Sequence, residues 1–457
     1  MMMIFSLLHW KWALKNLTRN PRRSLVTGLA ISSGFIGLML FTGYVYSIEK
    51  SLATLGFMKL GVGHVNIYKK DGVEKSFINP KKYSLTIAEQ KNISTFLEKY
   101  KSDIVFDAGS MSGVGLIGNG CRSVPFLIFG ISQATQKFIY NYPPFKIWGP
   151  QIKPVIEGMD FSVLPENSNP IIITKNLSQL LNKKKLYIEN SPAVTPWVPT
   201  DCDSQETKNN IENDTSLQLL AKGFDGEISA IEAQVSGFFI YGAIYAEDMA
   251  INAPLKLVQK IYNTDQVSKW LVYISDQASL SFWKSTVRKD FEKNFPHLEM
   301  LFYDEARANP FYAGVKEFLG GMSSFFIIVI GIVIALAISN STTMNLLDRA
   351  HEIGTLRSLG LTSTQINILI SQESFLLSIL SLSFGIVASF ILALLINEAN
   401  IRFDPPGSSG SIQLRVFPQI NMALNLSLLM TILISIVTYY LVRKTTSKKI
   451  TNLLTQT

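Results

Sequence analysis

The chain has 457 residues, of which 47% are apolar and only 17% charged, against about 25% charged in an ordinary soluble domain. Its formal net charge of +8 does not indicate nucleic-acid binding, which needs the basic residues gathered on one folded domain. Residues 48–317 carry 29 basic and 29 acidic side chains, so the excess lies towards the two ends.

Residues 1–23 hold Lys11, Lys15, Arg19, Arg22 and Arg23 and no acid. They read as a cytoplasmic amphipathic helix. Residues 24–47, "SLVTGLAISSGFIGLMLFTGYVYS", are uncharged and long enough to cross a hydrocarbon core of about 30 Å at about 1.5 Å per residue. No small-residue cleavage site closes the run, which is also too long for a signal peptide, so it reads as a retained anchor. Three similar runs follow, at residues 318–343, 366–397 and 419–442, of which only the second holds a charge, Glu373. A soluble helix of that length would show a polar stripe.

Residues 48–317 have the composition of a globular domain. Strand-like runs at Gly63–Lys69, Ser123–Ile131, Pro170–Thr174, Ile228–Gly242 and Trp270–Ser275 alternate with helical patterns at Thr86–Lys101, Thr174–Asn182 and Ser281–Phe295. That mixture predicts an α+β fold. Residues 190–222, rich in Pro, Asn, Asp, Ser and Thr, read as a polar loop insertion. Cys121 and Cys202 both fall in this region; an oxidising compartment would allow them to pair, but their separation in space is open, and two free thiols fit equally well. Residues 398–418 contain "FDPPGSSGS", whose prolines and glycines preclude regular structure. The tail, residues 443–457, holds Arg443, Lys444, Lys448 and Lys449 and no acid.

Basic residues beside spans stay cytoplasmic. Four spans place both termini on one side, and both are basic. The expected architecture is therefore an α-helical membrane protein with four transmembrane helices and a large α+β periplasmic domain inserted between the first and second spans. The second and third spans are then joined inside the cell.

Catalytic patterns are missing. No G-x-x-x-x-G-K-[ST], H-E-x-x-H, C-x-x-C or G-x-S-x-G occurs, so the sequence offers no catalytic or metal site and no nucleotide cradle. His9, His64, His297 and His351 lack metal-ligand spacing. The carboxylate pairs Asp201/Asp203 and Glu247/Asp248 read as solvated turns.

The inner link, residues 344–365, reads "MNLLDRAHEIGTLRSLGLTSTQ". On a helical wheel Leu346, Leu347, Ala350, Ile353 and Gly354 share one face, and Asp348, His351, Glu352 and Thr355 the other. Gly360 is placed to stop the helix and Thr362 to cap the next. A helix resting on lipid headgroups favours a Lys/Arg-rich polar face. Here two acids balance two bases, which suits a protein partner better, on a helix expected to run rigidly into both neighbouring spans. Glu373, at the start of the third span, reads either as an interfacial carboxylate or as a polar contact within the bundle or to the inner-link helix.

The segment "RAHEIGTLRSLGLTSTQI" resembles the cytoplasmic signature of the FtsX-like ABC transporter permeases, the group containing MacB and the lipoprotein-releasing Lol permeases. Glu352, Ile353, Gly354, Leu359 and Gly360 match its E-I-G and leucine-glycine positions. "ALKNLTRNPRRSLVTGLAIS" (Ala13–Ser32) is similar to the family's opening helix, and "GHVNIYKKDG" and Val235–Tyr262 are most similar to the Lol permeases. The resemblance implies a non-catalytic permease in the bacterial inner membrane that works by mechanotransmission. Its partners would be a separate ABC ATPase of the Lol or MacB type, which binds the ATP, and a second permease copy or paralogue. A periplasmic lipoprotein carrier or adaptor and membrane lipids complete the implied set, with no cofactor on this chain. The ATPase-coupling residues would be Arg349, His351, Glu352, Ile353, Gly354, Thr355, Leu356, Arg357, Leu359 and Gly360. Lipoprotein release is the implied task. MacB-like export of a peptide, toxin or drug is one alternative, and FtsX-like signalling to a periplasmic partner is another. A membrane-tethered periplasmic enzyme has no motif behind it.

Overall fold

A computed structural model describes residues 15, 17–19, 21–149, 152–188, 201–242, 246–403 and 412–446. Most of the helix assigned to residues 1–23, part of the insertion at 190–222, the middle of the loop at 398–418 and the end of the tail lie outside them. The chain divides into two compact units. One comprises Met1–Ile48, Glu317–Ile401 and Gln413–Thr457, and the other Glu49–Lys316 and Arg402–Ile412.

The first helix, α1 (Pro21–Lys59), opens on a proline, which is preset for the first helical turn. The strands of the larger unit are β1 (Val65–Lys69), β2 (Ile104–Gly118), β3 (Ser123–Ile131), β4 (Glu157–Gly158), β5 (Pro170–Thr174), β6 (Ser216–Lys222), β7 (Ile228–Phe239), β8 (Ala250–Pro254), β9 (Lys269–Ile274) and β10 (Leu298–Phe302). They form one sheet in the order β10-β1-β9-β2-β3-β8-β5-β7-β4. Because β6 pairs with both β2 and β7, the strands β2, β3, β8, β5, β7 and β6 close on themselves. Ile117, Phe126, Ile128, Ile173, Leu219, Val235 and Ile251 fill the apolar core of that ring. The all-buried run "PIIIT" of β5 lies between β7, parallel to it, and β8, antiparallel. A strand covered on both faces needs such an unbroken apolar run.

The longer helices of this unit are α2 (Ile87–Leu97), α3 (Gln133–Asn141), α4 (Gln205–Asn213), α5 (Leu255–Ile261) and α6 (Arg288–Asn294). Thr86 starts α2 with a capping box, exchanging hydrogen bonds with Glu89, two otherwise orphaned donors being satisfied at once. An aromatic cluster gathers Phe57, Phe145, Tyr273 and Tyr312 with Phe161 and Phe239. Phe57 stacks on Phe145 with ring centroids 5.1 Å apart, an offset geometry that aromatic pairs favour.

Three readings are corrected here. The loop at 398–418 is not without regular structure, since Arg402–Phe403 and Ile412–Gln413 pair as a two-stranded sheet. The insertion at 190–222 is not a loop throughout. Its described part contains α4, capped by the Ser204 hydroxyl, and β6, whose Leu217 and Leu219 point into the core. Local polarity concealed α4, which buries only Thr207 and Ile211. Cys202, just before α4, is joined by a disulfide to Cys121 in the β2–β3 turn, with Cα atoms 5.6 Å apart. Glu247 is not a solvated turn residue. It is 4% exposed, and its carboxylate accepts the Gly242 amide at 2.9 Å.

The second unit is helical. It contains most of α1 with α7 (Pro310–Asp348), α8 (Ala350–Ser358), α9 (Ser363–Glu398) and α10 (Ile420–Thr446). Among the described residues, four helices are long and apolar enough to cross a membrane: Ser24–Lys59, Pro310–Asp348, Ser363–Glu398 and Ile420–Lys444. Ile31, Phe35, Leu38, Ile334, Leu382 and Met430 pack between them. Polar contacts join the same helices: Thr27 Oγ1 shares a hydrogen bond with Ser341 Oγ at 2.6 Å, and Ser32 Oγ donates to the Ser381 carbonyl at 2.8 Å. Phe325, Ile328, Ile332 and Leu336 of α7 stay exposed, a face that suits hydrocarbon rather than water.

Candidate functional site

The link between α7 and α9 is built as a separate helix. Asp348 ends α7, and Arg349 leaves the helical region at φ −107°, ψ 11° before α8 begins at Ala350. The expected rigid continuity with both neighbours is therefore corrected: a break precedes α8 and a turn follows it. At the far end Gly360 adopts φ +98°, a conformation that costs glycine nothing. Its amide donates to Arg357 O at 3.1 Å and the Leu361 amide to Leu356 O at 3.2 Å. These are the two bonds of a Schellman stop. Leu356 and Leu361 close it by packing on one apolar cluster. Thr362 then caps α9, its hydroxyl accepting from the Gln365 amide while the Gln365 side chain accepts from the Thr362 amide.

Three faces of α8 separate. Ala350, Ile353 and Gly354 are buried, and Ile353 belongs to a cluster with Leu346 of α7, Ile366 and Ile370 of α9 and Val442 of α10. Leu347 does not join this face, being 49% exposed. His351, Thr355, Ser358 and Leu359 are exposed, at the i, i+4, i+7, i+8 spacing of one helical stripe. Leu359 is 75% exposed. Between these faces run the charges. Arg349 Nε donates to Glu352 Oε2 at 3.2 Å and its Nη1 to Glu373 Oε2 of α9 at 3.0 Å. Arg19 donates to the other oxygen of Glu352. The Arg19 hydrogen bond, helped by Arg349 and opposed by burial, holds the Glu352 carboxyl below the usual carboxylate range. Arg357 Nη1 donates to the Thr446 carbonyl near the end of α10 at 3.0 Å.

Of the ten residues assigned to ATPase coupling, the structure puts three on the open stripe: His351, Thr355 and Leu359. Arg349, Glu352 and Arg357 bond within the chain, Ile353 and Gly354 are buried, and Leu356 and Gly360 form the helix stop. Ser358, on the stripe, was missed, having no chemistry of its own to mark it. So was Arg19, which meets Glu352 only through the fold. Glu373 takes the second of its two readings, a polar contact to the inner-link helix, through Arg349 at its start. It lines a small pocket with Thr27, Ser341, Asn345, Ser374 and Leu377.

Residues 324–450 match the family model described as FtsX-like permease C-terminal. The lipoprotein-releasing system transmembrane protein LolC of Buchnera aphidicola subsp. Schizaphis graminum is 23% identical over 374 residues, covering 78% of this chain and 82% of that protein. Two solved structures are similar at low overlap. The periplasmic region of MacB from Actinobacillus actinomycetemcomitans has a TM-score of 0.29 and 12% identity, covering 53% of this chain and 91% of that one. The extracellular domain of the noncanonic ABC-type transporter YknZ from Gram-positive bacteria has a TM-score of 0.27 and 13% identity, covering 52% and 98%. The stretch that carries α8, Arg349 and Glu373 thus lies within the match to the FtsX-like permease C-terminal model, and the similarity of this chain to the FtsX-like ABC transporter permeases stands on that match and on the LolC relative.

Proposed function

We propose that this chain is the permease subunit of an ABC transporter that works by mechanotransmission. The exposed stripe of α8 docks on a separate ATPase subunit at the cytoplasmic face of the inner membrane. ATP is bound and hydrolysed in that partner, and two permease copies or paralogues frame two ATPases. The β-rich unit faces the periplasm and acts on a hydrophobic cargo there. Lipoprotein release is the preferred task, supported by the LolC relative, whose resemblance covers most of both chains.

The observation that carries the reading is the division of labour on α8. Its buried face and charges hold it in place, leaving His351, Thr355, Ser358 and Leu359 for a partner. Leu359 is the large apolar side chain that this stripe leaves open to a partner. The length of α7 suits the mechanism: 39 residues span about 58 Å at about 1.5 Å each, nearly twice a hydrocarbon core of about 30 Å.

The test is affinity purification of the tagged full chain from its own membranes, with ATPase subunits quantified by mass spectrometry. Leu359→Glu is expected to cut the co-purifying ATPase at least tenfold while the amount of inserted permease is unchanged. Full recovery of the ATPase with Leu359→Glu, together with a Thr355→Glu, Leu359→Glu double variant, removes α8 as the docking site.

A further inference from the structure

The charge network beside α8 reaches further than a docking surface needs. Arg349 stands at the break between α7 and α8, where an axial push loses the straight helical path. From that break its guanidinium crosses to α9. The Arg349–Glu373 pair is 3.0 Å long, and both side chains are 11% exposed. Glu352 and Arg19 extend the alternation of charge to the start of α1. The apolar face of α8 also reaches α9, since Ile353 shares its cluster with Ile366 and Ile370 of α9 as well as with Leu346 of α7 and Val442 of α10.

An isolated buried ion pair is a poor source of stability. Replacing both partners with apolar side chains is often neutral, whereas removing one leaves a charge stranded. A shielded arginine–carboxylate pair does fix direction and distance. We propose that Arg349 is a positioning residue: its bridge to Glu373 latches α8 to α9, so that a push on α8 moves the third membrane helix together with the second. This rests on the reading that α8 receives the partner's push, and it adds a second route into the bundle beside α7.

The test uses the full-length chain purified with its co-purifying ATPase, and separately the full-length chain alone in detergent. Arg349→Leu with Glu373→Leu removes the bridge without stranding a charge. In the chain alone, amide exchange over residues 350–358 is expected to quicken at least tenfold, with the interior of α7 unchanged. In the complex, the double variant is expected to retain its ATPase while the ATP turnover of the complex drops at least fivefold. A second variant, Arg349→Cys with Glu373→Cys, adds thiols to a chain whose two native cysteines are already paired. Joining the new thiols with a short bismaleimide is expected to restore turnover, which a merely structural role for the pair would not predict. Unchanged exchange in the double leucine variant, or turnover that stays low after cross-linking, overturns the latch. A wild-type chain that purifies with no ATPase sinks the docking reading instead, and the exchange result then decides the latch by itself.

Discussion

Lys269, on β9, carries its ammonium within 5.9 Å of the Tyr68 ring and is 7% exposed. Burial pushes its pKa from the usual 10.5 down to about 8, because the charged form is disfavoured away from water. The unfolded chain therefore binds the proton more tightly, and stability rises as pH climbs from about 8 to 10.5. Below that window the native state carries the full penalty, about 3 kcal/mol at most by the same interval. Lys269→Met is expected to raise the unfolding free energy by up to that amount at pH 7, with the advantage shrinking towards pH 10. Denaturant titrations at both pH values decide it, and an advantage independent of pH assigns the effect to packing. Glycine decides a different matter nearby. A Cβ on Gly115 of β2 would lie 2.3 Å from the Leu220 carbonyl oxygen, and one on Gly113 would lie 2.1 Å from the Tyr262 hydroxyl. These residues are glycine because the β6 backbone and the Tyr262 ring, just past α5, leave no room for a side chain.

Those glycines explain why elements differ in how readily their sequence reveals them. β3 and β5 show as apolar runs, and their bounds follow the residues closely. β2 is 15 residues long but escapes a pattern search, because Gly109, Gly113, Gly115 and Gly118 interrupt its alternation and read as turn signals. The stop at Gly360 and the cap at Thr362 were legible, since both are local chemistry. The break at Arg349 was not, because no glycine or proline marks it and arginine is itself a good helix former. The cysteines were visible, but only the fold brings the β2–β3 turn beside the start of α4. Their link spans 81 residues, and closing a loop of that size removes about 4 kcal/mol of unfolded-state freedom. Cys121→Ala with Cys202→Ala is expected to lower the stability of the β-rich unit by an amount of that order, read as a reduced denaturation midpoint. A midpoint that does not move means that the unfolded chain is already confined by residual structure.

At the scale of the whole molecule, charge is sorted along the chain. The stretch between the first two apolar runs is balanced at 29 basic and 29 acidic residues, while the first 23 residues hold five basic side chains and no acid. Short basic flanks oppose translocation and a long balanced domain does not, which is the argument for the proposed orientation, ends inside and β-rich unit outside. The proposed docking of α8 on an ATPase needs that orientation, because ATP is a cytoplasmic fuel. Gln205 on α4 and Ser358 on α8 are both exposed, and the two native cysteines are occupied with each other, so a cysteine introduced at either place is a clean reporter. In spheroplasts treated with a membrane-impermeant maleimide, Gln205→Cys is expected to label at once and Ser358→Cys only after permeabilisation. Labelling of Ser358→Cys from outside would place α8 beyond the reach of any ATPase. The charge network would then be a packing device, and the large unit would face the cytoplasm against the pull of every basic residue at the amino end.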